Sequence, residues 1–144
     1  MTGSGPIDAE RAFTREARAR RRAALARRLR REPASCGRLA VVDEREVGAA
    51  PGAAVRGVRE IPLHEIRATL EPSRASLFDR SFRPTPKARV RWQRLWLAEH
   101  RGGTLPPIAV VPVGDGYAIR DGHHRVSVAR ARGALTIDAT ITSP

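Results

Sequence analysis

Tyr117-Ala118-Ile119-Arg120-Asp121-Gly122-His123-His124-Arg125 runs from an apolar strand, through a glycine, into the start of a helix. The Ala- and Val-containing segment behind it continues to Gly133, a glycine placed where a helix stops. A strand that turns directly into a helix aims the helix's unpaired N–H groups at the turn, and Arg125 adds a planar fork suited to phosphate. Asp121 stands at the N-cap position, where its carboxylate is expected to accept from the N–H of His123 or His124. Gly122 permits a positive φ or the close approach of a ligand, and His124 offers a donor that is neutral or protonated near pH 7. Bulky polar groups have no packing reason to gather in one first turn, so the stretch predicts an anion site. Adjacent histidines leave a helix about 100° apart and seldom ligate one metal. No Cys/His zinc spacing occurs elsewhere, so no structural metal site is expected.

Outward from this stretch, the periodicities build one small domain. Ile108 to Val113, the Gly114-Asp115-Gly116 turn and Tyr117 to Arg120 read as a hairpin. Ile137, Ala139 and Ile141 alternate with Thr136, Asp138 and Thr140, as in a half-buried strand. Trp92, Leu95, Trp96 and Glu99 keep helical spacing between Lys87 and Arg101, and Gly102-Gly103 ends that helix. Two tryptophans at this spacing predict core rather than base stacking. Val58 to Ile61 reads as a short strand and Leu63 to Arg67 as a turn or brief helix. The fold class predicted is α+β, a small mixed sheet with packed helices, over residues 58–144.

The N-terminal part has a different character. Residues 1–32 hold ten Arg against Asp8, Glu10, Glu16 and Glu32, on a helix expected from about Asp8 to Arg31 and stopped by Pro33. Arg11, Arg15, Arg18 and Arg22 share one face, while Phe13, Ala17, Ala24, Leu25 and Leu29 make only a thin apolar one. This segment predicts a basic arm, with nucleic acid as the partner for residues 8–32. Residues 33–57 balance three Arg with Asp43, Glu44 and Glu46 and include Gly48-Ala49-Ala50-Pro51-Gly52-Ala53-Ala54, so a flexible linker is expected there. On this reading residues 1–32 can be deleted without loss of nucleotide binding. The net charge of +12 favours a polyanion. Of the 27 basic residues only Lys87 is lysine, a bias that GC-rich codon choice alone would also produce. No apolar run reaches the ~20 residues needed to span a bilayer, so no membrane partner is expected. The lone Cys36 cannot form an internal disulfide, and no apolar segment follows the arginine-rich start as in a signal peptide. Both features fit a reducing cytoplasm.

From roughly Val58 to the end the chain resembles the N-terminal domain of bacterial ParB proteins, the ParB/sulfiredoxin fold. The resemblance rests on Ile66 through Pro72 to Arg74 with Phe78-Asp79 after it, on Gly103-Thr104-Leu105-Pro106-Pro107-Ile108, and on Gly122-His123-His124-Arg125. It implies a nucleotide-binding domain. Gly122, His123, His124 and Arg125 would hold phosphates of a nucleoside di- or triphosphate with its Mg2+, and Gly103, Leu105 and Pro106 would lie near the base. The family's Gly-Glu-Arg-Arg and Gly-x-x-Gln-Pro patterns are altered here by His123, His124 and Pro106. Only one strand is expected after the last helix, without a helix-turn-helix domain. Sulfiredoxins of this fold carry Gly-Cys-His-Arg, and His123 stands at the cysteine's place. Serine kinases of the fold are similar in an Asp-Gly-x-His-Arg phosphate site. That likeness implies an alternative, a phosphotransferase or nucleotide hydrolase in which Glu71 is the base and Asp121 and His124 complete the catalytic set.

Overall fold

The computed structural model describes residues 4–48 and 57–142. In chain order these form helix α1 (Gly5–Leu29), strands β1 (Ala40–Val41), β2 (Val58–Pro62) and β3 (Ile66–Thr69), and the single-turn helix α2 (Pro72–Ala75). Helix α3 (Arg89–His100), strands β4 (Ile108–Val113) and β5 (Gly116–Asp121), helix α4 (His123–Ala131) and strand β6 (Thr136–Ile141) follow. The class is α+β. Six strands make one mixed sheet in the order β1-β3-β5-β4-β6-β2. β4 and β5 pair antiparallel across the Gly114-Asp115 turn, where Gly114 supplies the φ of +59°. β3 lies parallel to β5, and β6 parallel to β4.

The central strands are apolar on the face that carries α4. Ile108, Val110 and Ile119 are fully buried there with Val126 of α4. On the far side of α4, Val128 meets Trp92 and Trp96 of α3, and α3 in turn meets α1. Both tryptophans are core, as their spacing predicts. The Trp92 indole N–H donates to Ser127 Oγ at 2.8 Å, so burying its polar end costs little.

The expected arm is a packed helix. Ala9, Ala12, Phe13 and Ala17 are buried, and the Phe13 ring meets Trp92 edge-on at 5.5 Å. The thin apolar face is wide enough because its alanines let α1 approach α3 closely, leaving one aromatic to fill the gap. The expected linker departs in the same way as far as residue 48. Leu39 is buried in the main core, and β1 pairs parallel with β3 through Ala40–Ala68 and Val41–Thr69. Gly48 N–H donates to Pro112 O, and Arg120 holds the Glu44 carboxylate with two hydrogen bonds of 3.0 and 3.3 Å. The remainder of that linker, residues 49–56, lies outside the described residues. No helix among the described residues is long and apolar enough to cross a membrane.

Candidate functional site

Gly122 shapes the junction between β5 and α4. Its φ of +115° bends the chain sharply, and a Cβ there would collide with the Ile108 side chain. Asp121 consequently remains the last residue of β5, opposite Ala109, and Gly122 takes the N-cap position. The expected cap by Asp121 is therefore not formed. Its Oδ2 instead accepts from Arg125 Nη2 at 3.0 Å. The first-turn N–H groups of α4 are left without a side-chain acceptor.

Arg125 also differs from the free fork that the sequence suggests. Its Nη1 donates to Pro106 O at 2.8 Å and Pro107 O at 2.7 Å, and its side chain is 12% exposed. The guanidinium thus fastens the loop leading into β4 onto α4. Two other arginines supply open positive charge: Arg74 of α2 and Arg91 of α3. With Pro106, Asp121, Gly122, His123, His124 and Arg125 they line a cavity of about 170 Å3 at the mouth of α4. Both are exposed, and neither forms an ion pair among the described residues. Arg74 belongs to the quoted Pro72-x-Arg74 stretch. Arg91 carries no signal of its own beyond sharing a helix face with Leu95, which lines the same cavity.

Both histidines are buried. His123 Nε2 lies 2.5 Å from Thr69 Oγ1, and that hydroxyl also accepts from the Glu71 N–H at 2.9 Å. Phe78 stacks on His123 with ring centroids 6.5 Å apart and meets His124 edge-on at 5.1 Å. Burial pushes the His123 ring down to about 4, with Arg74 and His124 adding to the fall and Asp121 opposing it. Burial likewise pushes His124 down to about 4, helped by Arg91 and then Arg74. Both rings are neutral at pH 7, so the protonated alternative for His124 does not hold. The positive charge of the pocket is arginine and helix terminus only.

A second cavity of about 330 Å3 adjoins the first, sharing Pro106 and Arg125 as walls. Gly103, Leu105 and Pro106 line it together, with Ile137 and Asp138 of β6 opposite. Glu71 lines neither cavity. It is exposed at the start of α2, tied to the site only through its N–H and Thr69. Cys36 lies in a short turn between α1 and β1, where its carbonyl accepts from Arg80, remote in sequence and contact from α4.

Neither any family model nor any curated protein matches the chain. Among solved structures it is similar to sulfiredoxin from Arabidopsis thaliana, at 24% identity and a TM-score of 0.45, over 61% of this chain and 86% of that one.

Proposed function

We propose that this protein is a phosphoryl-anion-binding module, with the phosphates of a nucleotide as its first candidate ligand. The supporting observation is the convergence of Arg74, Arg91 and the open first turn of α4 on one cavity, beside two histidines that stay neutral. Guanidinium groups and helix N–H groups both prefer phosphoryl oxygens. Arg125 acts as a positioning residue. The neighbouring cavity with Gly103, Leu105 and Pro106 is where a base would lie, one wall away from the phosphates. Mg2+ would arrive with the phosphates, held by their oxygens.

A thermal-shift screen of nucleoside di- and triphosphates, with and without Mg2+, and of inorganic phosphate and pyrophosphate tests this reading. A ligand at a hundred times its dissociation constant stabilises the fold by ~2.7 kcal/mol. A flat response across the whole panel overturns it. Phosphate release by the same samples would mark a phosphotransferase or hydrolase, and Glu71→Gln would then lower turnover with little loss of affinity.

The outer face of α1 supports a nucleic-acid contact as part of the same reading. Arg11, Arg15, Arg18 and Arg22 are exposed, and none is ion-paired among the described residues. Four phosphate contacts give a log K against log salt slope of about −3.6 on duplex DNA. Replacing all four by Gln removes that slope, and an unchanged slope argues against the contact.

A further inference from the structure

A different cavity, of about 520 Å3, opens between the C-terminal half of α1, the turn before β1 and the α2 region. Leu39, Ala75 and Phe78 give it an apolar floor. Arg20, Arg27 and Arg38 stand on its wall. The Arg20 Nε has no hydrogen-bond partner among the described residues and is closed to solvent, so it is the rest of this side chain that lines the cavity. Arg27 is brought in by Gly37, since a Cβ at that position would fall 2.6 Å from the Arg27 Nη2 atom. The one carboxylate on the wall is Asp79, and it is already satisfied. It accepts from the Ser81 and Arg83 N–H groups, both at 2.9 Å, and from the Arg83 guanidinium at 3.3 Å.

From this arrangement we infer that the cavity is a second binding site, for a small organic acid: one carboxylate on an apolar body. The occupant follows from charge complementarity. Three arginines line the wall against a single carboxylate, Asp79, that another arginine already neutralises. A planar carboxylate matches the guanidinium fork, and an apolar body covers Leu39, Ala75 and Phe78. The volume lies within the range of small-molecule sites. This site shares no arginine with the phosphate pocket and stands independently of that reading.

The test compares naphthalene-2-carboxylate with the neutral naphthalene-2-methanol by titration calorimetry on the full chain. The acid is expected to bind about tenfold or more tightly than the alcohol, the worth of a hydrogen bond to a charged group. Arg20→Met keeps the packed stem and loses the donor, so it is expected to remove that preference. Arg38→Met, at the exposed rim, is expected to weaken the acid in the same direction without disturbing the fold. Arg74→Gln with Arg91→Gln is expected to leave acid binding unchanged. Equal binding of acid and alcohol, no heat from the acid at millimolar concentration, or a preference that survives both Arg20→Met and Arg38→Met would overturn the inference.

Discussion

Arg125 gives its guanidinium hydrogens to Pro106 O, Pro107 O and Asp121, whereas Arg74 and Arg91 stand open beside the same cavity. Substitutions therefore separate by readout. Arg125→Gln is expected to cost about 1–2 kcal/mol in thermal or urea unfolding, because it removes the hydrogen bonds that fasten the Pro106-Pro107 loop onto α4. Arg74→Gln and Arg91→Gln are expected to leave the melting temperature unchanged while weakening phosphate. The histidines supply a pH test. Their folded values of about 4 lie below the unfolded 6.5, so the folded state takes up protons less readily than the unfolded one. Stability is then complete above about pH 6.5 and falls as pH drops toward 4, on the order of 3 kcal/mol per ring at the limit. Urea titrations across that window check the slope. A bound phosphoryl anion offsets Arg74 and Arg91, so both ring titrations are expected to move upward in NMR on adding pyrophosphate. The sequence singled out Gly122, His123, His124 and Arg125, and folding gathers these four around one cavity, the candidate site. It did not show that Arg125 would be tied down, because the Asp121–Arg125 contact depends on the bend at Gly122. Nor could it pair Arg74 with Arg91, which come from separate helices and meet only on folding.

Among the elements, the hairpin β4–β5, the strands β2 and β6 and the helices α3 and α4 were readable from their apolar positions and from the glycines that bound the hairpin and end α3 and α4. β3 and α2 were obscured by a short turn before β3 and by Pro72, which leave too few residues for a period to show. α1 and β1 misled in the opposite sense. Charge around α1 hides a contact made mostly by alanines, and two residues of β1 sit in a charge-balanced segment that reads as linker. Phe13 is the anchor of that contact. Phe13→Ala is expected to destabilise the protein by about 3–5 kcal/mol, measured by urea denaturation. A chain limited to residues 58–144 is expected to lose cooperative unfolding, since it lacks Leu39, β1 and the helix that covers Trp92. Cooperative unfolding of that fragment with unchanged stability would show that α1 is an independent arm after all.

At the scale of the whole molecule, among the described residues two of the arginine-lined cavities lie on either flank of the Phe78 and α2 region. One is small and built on a helix mouth. The other is larger, with an apolar floor. Phe78 contributes to the second and touches both histidines of the first, so one rigid region sets the geometry of each. The most direct measurement of the central claim is calorimetric titration of pyrophosphate into the intact protein and into the Arg74→Gln/Arg91→Gln double variant, at pH 7.5 and low salt. The expected result is saturable heat from the parent and at least a tenfold weaker, salt-insensitive response from the variant, with both proteins melting at the same temperature. Equal binding by the two, or no heat from the parent, would contradict the assignment of the α4 mouth as a phosphoryl-anion site.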